Sequence, residues 1–294
     1  MKVPAKVKSH EEFADALLRF YEALRPPNLP SVHPEELLCR GYYALGWLVG
    51  DATKQFARGG TKARTGTCLC KRHPENLELG EYFSNCVNVI GVPSRRIADE
   101  APRPAEPHGS FRWLSSYSPV ISWLKTACLG LGRHELTSYV PVRMVWLLTS
   151  PKDFRLWFLR GLADSDGTVN LRNKSVSIVT APNTLLVRKL FDSLGCHNTY
   201  EDDDGVGVVT ISAPDAMHLQ IFNPEVLTHR RKALESLCSA ATFERRWPDW
   251  LEARVRRLVE EGRSPRSIRD RLLFEDKVYV KIKTLKTKQR LYGE

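Results

Sequence analysis

Apolar and polar residues follow two different periodicities along this chain. Residues 34–50 and 151–164 carry apolar side chains at helical spacing, and each stretch opens with proline and acidic residues, which suit the first turn of a helix. Shorter runs, such as 168–172 and 175–178, alternate polar and apolar residues, which is typical of antiparallel strands with one wet face. The pattern predicts a chain of mixed helices and strands.

The order of these elements predicts a duplicated unit. The second half gives a helix, two strands, a helix that Gly195 ends, two more strands and a last helix from Ala213. The first half follows the same order, with a proline-rich surface loop between its third and fourth strands. The predicted fold class is α+β, with two pseudo-symmetric αββαββα units and an all-α C-terminal domain. The predicted boundaries are 1–32 for an N-terminal helical arm, 33–136 and 137–240 for the two units, and 245–294 for the last domain.

Small residues recur at a four-residue spacing in the first helix of each unit. Gly46 and Gly50 lie one turn apart on one face, as do Gly161 and Ser165. Because no large side chain holds such faces apart, the two helix backbones can approach closely. These four residues are therefore the predicted helix interface.

Each of the two helices ends in a carboxylate, Asp51 in the first and Asp166 in the second, 115 residues apart. Close packing would bring both acids together at helix C-termini, where the dipoles and their mutual repulsion disfavour them. Mg²⁺ would compensate, since it binds carboxylates together with water and phosphate oxygens, and metal ions between paired acids can activate water for phosphodiester hydrolysis. The alternative is two helices that happen to end in Asp, but the matching positions favour a shared site. Asp164 is expected to point elsewhere, as a polar or interface residue.

The two segments resemble the paired motifs of the LAGLIDADG homing endonuclease family in its single-chain, two-motif form. The first segment matches at Gly46 and Asp51, with Ala52 in place of the final glycine. The second matches the nine-letter pattern at Leu159, Gly161, Leu162, Asp164, Asp166 and Gly167. The resemblance covers roughly residues 34 to 240.

The resemblance implies a DNA-binding saddle and a site-specific double-strand endonuclease. Two four-stranded sheets would grip the major groove, and the paired acids would sit over the minor groove with Mg²⁺, leaving short 3′ overhangs. The metal is expected at Asp51 and Asp166 and at the residues that follow them, Ala52 and Gly167. The expected DNA contacts are Lys54 and Arg58 in the first unit, and Thr168, Asn170, Arg172 and Lys174 on the wet strand faces of the second, unless those faces are merely solvated.

Family members also carry a basic residue near the end of each half. In the second half His229 or Arg230 can supply it, and both are taken as candidate catalytic residues. In the first half the corresponding stretch, 137–141, contains no basic residue, so Arg133 or Arg143 would have to substitute. This departure predicts weaker cleavage of one strand.

Basic charge is concentrated at the end of the chain. The net charge is +10, and residues 228–294 hold 18 Lys and Arg against 10 Asp and Glu, which favours a polyanionic partner. Three predicted helices, 247–261, 264–274 and 278–291, resemble a helix-turn-helix module. Its last helix would contact DNA through Lys281, Lys283, Lys286 and Lys288, unless it is only a solvated basic helix.

This added domain supports a second hypothesis. The WhiA family of bacterial transcription regulators also joins a two-repeat LAGLIDADG-like domain to a helix-turn-helix, and it does not need to cleave DNA. Because this chain keeps both acids, the endonuclease is preferred and the regulator is the alternative. In either case the expected partner is double-stranded DNA, bound by a monomer without a protein partner.

Composition excludes several other classes. No signal peptide or apolar run of membrane-spanning length is present in the sequence, so an intracellular, cytoplasmic or nucleoid location is expected. Seven irregularly spaced cysteines indicate reduced, mostly buried thiols rather than a disulfide framework. Cys68, Cys70 and His73 have metal-ligand chemistry, but their spacing favours buried strand cysteines over a zinc site.

Overall fold

A computed structural model of the chain describes residues 3–24, 31–57, 60–104, 107–137, 139–180, 182–203, 206–243 and 247–292. Helix α1 (His10–Leu24) precedes the first unit. That unit consists of α2 (Pro34–Val49), β1 (Thr53–Phe56), β2 (Ala63–Cys70), α3 (Asn76–Val89), β3 (Ser94–Arg96), β4 (Ser110–Ser115) and α4 (Pro119–Trp123). The second unit repeats this order with α5 (Lys152–Asp166), β5 (Gly167–Asn170), β6 (Ser175–Val179), α6 (Thr184–Ser193), β7 (Asn198–Asp203), β8 (Val206–Ser212) and α7 (Ala213–His218).

Each unit holds one antiparallel four-stranded sheet, and the two sheets have equivalent topology. Their strand orders are β1-β2-β4-β3 and β5-β6-β8-β7. Thr67 lies opposite Trp113 in the first sheet, and Val176 lies opposite Ile211 in the second, which sets the face of each sheet that packs against its helices. The α+β prediction of two αββαββα units is confirmed.

Helices α2 and α5 pack against each other at the centre of the molecule. A methyl group built on Gly46 would lie 2.0 Å from the carbonyl oxygen of Phe158, and one built on Gly161 would lie 2.0 Å from that of Tyr43. The two backbones are therefore in direct contact at both glycines. Around this contact a single hydrophobic core extends through both units.

The N-terminal helix is part of that core. Phe13 and Leu17 of α1 are fully buried, and the ring of Phe13 lies 4.7 Å from that of Tyr42 in α2 and 5.3 Å from that of Trp146. Trp146 belongs to a short 3₁₀ turn, Val145–Thr149, that leads into α5. Helix α1 thereby ties the first unit to the segment that joins the two units.

The C-terminal domain has its own small core. It consists of α9 (Asp249–Glu260), α10 (Pro265–Phe274) and α11 (Ile282–Tyr292), and Leu251, Ile268 and Leu285 are among its buried residues. The domain docks on the second unit through Leu273 and Tyr279, which belong to the larger core. A parallel pair of two-residue strands, β9 (Ala241–Thr242) and β10 (Val278–Tyr279), also joins them.

Several boundaries differ from the sequence-based expectation. The basic run that begins at His229 opens a further helix, α8 (His229–Ser239), whose N-terminus Thr228 caps. The last C-terminal helix starts at Ile282 rather than at residue 278, because Val278 and Tyr279 pair with β9 instead. Helix α4 continues as a π-helical turn, Leu124–Cys128. These departures depend on tertiary contacts that local periodicity does not reveal.

The cysteine prediction was partly wrong. All seven cysteines are free thiols, as expected, but Cys68 and Cys70 are exposed. They occupy the β2 positions that alternate with buried Thr65 and Thr67, so they lie on the outer face of the sheet. Among the described residues, no helix combines the length and apolar character needed to cross a membrane.

We expect Gly46→Ala to lower the free energy of unfolding by about 3 kcal/mol, because its methyl group would meet a backbone carbonyl that cannot rotate away. Gly41→Ala on the same helix is the matched control, since its methyl would meet the end of the Leu17 side chain. That variant should change stability by about 1 kcal/mol or less. Urea unfolding of both variants provides the measurement, and equal losses would contradict the close contact at Gly46.

Candidate metal centre and nucleic-acid interface

Asp51 and Asp166 meet where the two central helices end. A methyl group built on Gly50 would lie 2.0 Å from Ser165 Oγ and 2.2 Å from Asp166 Oδ2, so the chain preceding Asp51 touches the end of α5. Burial, together with the charge and hydrogen bonding of Asp51, raises the pKa of Asp166 to about 7. The carboxyl groups of Asp51 and Asp166 are thus close neighbours.

A small cavity of about 150 Å³ opens beside the two acids, and Val49, Leu162 and Val179 form the apolar part of its lining. Its polar lining consists of the two aspartates with Thr137, Thr180 and Asn183. No Lys or Arg lines it among the described residues. The amide of Asn183 is fixed, because its Oδ1 accepts the N–H of Val142 at 2.8 Å.

Asp164 faces away from the cavity, as expected from its position on α5. It is fully buried, and its Oδ2 accepts from the hydroxyl of Tyr43 at 2.8 Å and from the backbone N–H of Asn223 at 3.2 Å. Burial raises the pKa of Asp164 to about 7 against the effect of these bonds and of Arg230. In the first unit the equivalent position, two residues before Asp51, is Val49. The duplication therefore carries this polar contact in one copy only.

Arg230 lies at the C-terminal end of α5. Its guanidinium donates to the carbonyl oxygen of Asp164 and, at 3.4 Å, to that of Ser165. Burial lowers the pKa of Arg230, and the charges of Asp164, Asp166 and Asp51 raise it. A cation at this helix end offsets the dipole and the adjacent carboxylates. The first-half candidate Arg133 is placed differently, because its guanidinium donates to the carbonyl oxygens of Ala57 and Gly60 in the first unit. Like Arg230, neither Arg133 nor Arg143 lines the cavity.

His229, the other basic candidate, is engaged elsewhere. Its ring stacks on that of His73 from the first unit, with centroids 3.6 Å apart and planes 9° apart. Burial, together with the positive charges of His73 and Arg230, lowers the pKa of His229 to about 4. Nearby, Lys232 donates to Glu75 of the first unit at 2.6 Å. The two stacked histidines therefore belong to a contact between α8 and the first unit.

The predicted metal-following residues, Ala52 and Gly167, lie directly beside the acids and are both buried. Their backbone N–H groups donate to the carbonyls of Trp47 and Ala163 and so complete the two helix ends. The described residues contain no group of three or more His, Cys, Asp or Glu side chains arranged to hold a metal. This also applies to Cys68, Cys70 and His73. Any ion at the aspartate pair would therefore depend on water and phosphate oxygens for its remaining ligands.

The outward faces of the two sheets differ in chemistry. Strand pairing places Arg64, Arg95 and Arg112 on the outer face of the first sheet. The outer face of the second sheet is mainly hydroxyl-bearing, with Thr168 opposite Ser177 and Ser177 opposite Thr210. Asn170 is also on this face, and Glu201 adds an acid at its edge. Arg172 and Lys174 lie beyond β5 at the tip of the β5–β6 hairpin and are exposed.

The predicted DNA contacts of the first unit are Lys54 and Arg58. Lys54 belongs to β1, opposite Thr65, but its side chain lies outside the described part of the structure. Arg58 also lies outside the described residues. The arginines of the first sheet were missed by sequence reasoning, because the strand register that places them on one face is set by long-range pairing. Only the alternation within β2 could have marked Arg64.

The four lysines predicted on the last helix do not share one environment. Lys281, Lys283 and Lys286 are exposed. Lys288 points into the helical domain, where its ammonium donates to Glu252 of α9 and lies 5.2 Å from the centre of the Trp247 ring. Lys288 therefore stabilises the domain and is not presented with the other three.

No family model matches the chain, and no curated protein does. Solved structures do match, and they are of the two kinds that the sequence motifs resemble. Mesophilic variants of the homing endonuclease I-DmoI share 19% identity over 68% of this chain and 98% of theirs, with a TM-score of 0.46. I-DmoI in complex with DNA and Mn shares 18% identity over 62% of this chain and 94% of its own, with a TM-score of 0.43.

A full-length structure of another protein also matches. DUF199/WhiA from Thermatoga maritima shares 12% identity over 96% of this chain and 95% of its own, with a TM-score of 0.45. That alignment extends over the C-terminal helical region, whereas the I-DmoI alignments cover about two thirds of this chain. At these identities and TM-scores, the residues of this chain must carry any functional conclusion.

The stacked histidines predict a pH effect on stability. Because the pKa of His229 is about 4 in the folded state and about 6.5 in an unfolded chain, protonation favours unfolding as the pH falls from 6.5 towards 4. His229→Phe keeps a stacked ring without a titrating group, so its Tm should rise relative to the parent protein between pH 7.5 and pH 5. Thermal unfolding at both pH values measures this difference. His134→Phe, at an exposed position, is the control, and a difference that does not change with pH would contradict the expectation.

Proposed function

We propose that the protein binds double-stranded DNA across its two sheets and hydrolyses it with a divalent metal held between Asp51 and Asp166. The observation that carries the proposal is the meeting of one carboxylate from each unit at the end of a shared helix interface. Two like units, each contributing one acid, suit a substrate with two antiparallel strands. The motif resemblance of these helix ends to LAGLIDADG endonucleases supports the same function.

The aspartate pair fits a divalent cation. Two adjacent carboxylates at helix C-termini repel each other, and the raised pKa of Asp166 reflects that repulsion and its burial. Mg²⁺ prefers a few carboxylates together with water and phosphate oxygens, which the open cavity beside the acids has room to accept. When bound, such an ion would supply an activated water and charge stabilisation at the scissile phosphate.

Protein groups around the acids would hold and orient the reacting strands. Asn183 and Thr180 offer neutral polar contacts in the cavity. Arg230 holds a positive charge at the end of α5, beside the carboxylate of Asp166. In the first unit the candidate Arg133 is instead bonded to the carbonyls of Ala57 and Gly60, so we expect the two strands to be cut at unequal rates.

A non-cleaving, DNA-binding regulator is the second candidate function. The observation that favours it is that Arg230 donates its hydrogen bonds to the carbonyl groups at the end of α5. Among the described residues, no Lys or Arg then lines the cavity beside the acids. The docked three-helix domain, with its exposed lysines, supplies a second DNA-binding element. Both candidates require DNA binding and differ in whether the acids act on it.

Cleavage can be tested with a library of long DNA duplexes and Mg²⁺ or Mn²⁺, followed by sequencing of the ends. Defined ends with a bias towards one strand are expected from the parent protein. Asp166→Asn should abolish them while leaving DNA affinity within about threefold, because a carboxylate removed from the site does not weaken phosphate contacts. Asp153→Asn, at an exposed position in the first turn of α5, is the matched control and should cut normally. Specific binding without ends in either metal would favour the regulator.

Metal binding can be measured without cleavage. We expect Mn²⁺ to raise the Tm of the parent protein and not that of Asp51→Asn or Asp166→Asn, because ligand binding to the native state stabilises it. In EDTA both variants should be more stable than the parent by about 2 °C or more, since the repulsion between two acids is removed. A metal-induced rise that persists in both variants would show that the ion binds elsewhere.

A further inference from the structure

The second unit and the C-terminal domain enclose a strongly basic groove that neither forms alone. One side is the tip of the β5–β6 hairpin, and the other consists of the first turns of α10 and α11. The groove consists of two adjoining cavities of about 740 and 660 Å³. Its cations include Arg172, Lys174, Arg266, Lys281, Lys283 and Lys286. Arg269 lines it as well but is paired with Asp270 at 2.6 Å. No Asp or Glu is itself among the described residues of the lining, so the other six cations give it a net positive charge.

The two sides of the groove are held in a fixed arrangement. Tyr279, which is buried in the main core, donates its hydroxyl to the carbonyl of Arg172 at 3.2 Å. The ammonium of Lys174 lies 4.4 Å from the centre of the same ring. Lys174 has a positive φ of 50°, a conformation that non-glycine residues adopt at a cost, and this turn brings the hairpin tip to Tyr279. Lys277 also donates to Ser236 Oγ of α8 at 3.2 Å.

The N-termini of two helices add to the positive potential. Ser264 caps α10 and lines the groove together with Pro265, while Lys281 and Ile282 open α11 on the same side. The N-terminal end of a helix carries partial positive charge and exposed N–H donors, which favour phosphate oxygens. The chemistry is that of a site for a phosphate backbone.

The second sheet lacks the charge that its counterpart has. The first sheet presents Arg64 and Arg95 on its outer face, together with Arg112, which is paired with Glu100 at 3.0 Å. The outer face of the second presents mainly hydroxyl groups and the acid Glu201. Phosphate contacts supply most of the affinity of proteins for duplex DNA, so a duplex lying across both sheets would be held weakly on the second side. The basic groove begins where β5 and β6 end.

We infer that this groove holds the DNA backbone on the second side of the proposed site, so that the hairpin tip and the helical domain bind one duplex as a single surface. The inference rests on the proposed DNA-binding function. Arg172 follows Asp166 by six residues, which span at most about 20 Å of extended chain. At about 3.4 Å per base pair, the groove meets DNA within about six base pairs of the acids.

The test uses a fluorescein-labelled 40-base-pair duplex of random sequence and measures its Kd over a range of salt concentrations. The helix variant replaces Lys281, Lys283 and Lys286 with Gln, and the hairpin variant carries Arg172→Gln and Lys174→Gln. Removing one lysine–phosphate ion pair should reduce the salt slope by about 0.9, so the slope of the helix variant is expected to fall by up to about 2.7 and its binding to weaken on the order of tenfold. A control variant replaces Lys6 and Lys8, which precede α1, and Lys189 of α6, which are all exposed and do not line the groove, and should stay within about twofold of the parent.

Combining the hairpin and helix variants tests whether the surface is shared. If both sides hold one backbone segment, removing either side loosens that segment, and the combined reduction in affinity is smaller than the product of the separate reductions. A helix variant that behaves like the control, a hairpin variant without effect, or reductions that simply multiply would each overturn the inference. Failure of the parent protein to bind the duplex at any salt concentration would instead overturn the proposed DNA-binding function. Thermal unfolding confirms that each variant is folded.

Discussion

Direct contact between two helix backbones is the constraint on which the rest of this structure depends. Gly46 lies against the carbonyl of Phe158, and Gly161 lies against that of Tyr43, so α2 and α5 meet at a distance that side chains would not permit. Because each helix leads directly into the first strand of a sheet, this contact fixes how the two sheets are placed relative to each other. It also fixes where Asp51 and Asp166 meet. The position of the acids is thus a result of packing rather than of their own interactions, which are repulsive.

The two units share a backbone plan but differ in chemistry. Asp164, with its bonds from Tyr43 and Asn223, has Val49 as its counterpart. Arg230 donates to the end of α5, whereas Arg133 of the first unit donates to Ala57 and Gly60 instead. The outer sheet faces differ in the same way, with arginines on one and hydroxyl groups on the other. A duplicated framework needs to keep only its interface and its core. The polar positions are free to diverge, and a duplex whose two halves differ in sequence would require different contacts from the two units.

Much of this fold could be predicted from local patterns. The glycine spacing, the two terminal acids and the order of strands depend on residues close in sequence, and the structure has them as expected. The third helix of the last domain was placed too early, because Tyr279 pairs with β9 across about forty residues. The cavity lining of Thr137, Thr180 and Asn183 could not be predicted either, since those residues come together only when both units are folded. The sequence groups four lysines at the last helix, but only the tertiary structure distinguishes Lys288, which is paired with Glu252, from its exposed neighbours.

The pairing of β9 with β10 has a mechanical consequence for the C-terminal helices. The chain leaves the second unit at Thr242, forms α9 and α10, and returns to run beside its own exit point at Val278 before α11 begins. A domain joined by a single connecting segment can rotate about it. Here the outgoing strand β9 and the returning strand β10 are hydrogen-bonded to each other, and this pairing prevents such rotation. Leu273 and Tyr279, inserted in the larger core, restrict the remaining tilt. The angle between the helical domain and the aspartate pair is therefore built into the chain before any partner arrives, and little orientational entropy is left to lose when one binds.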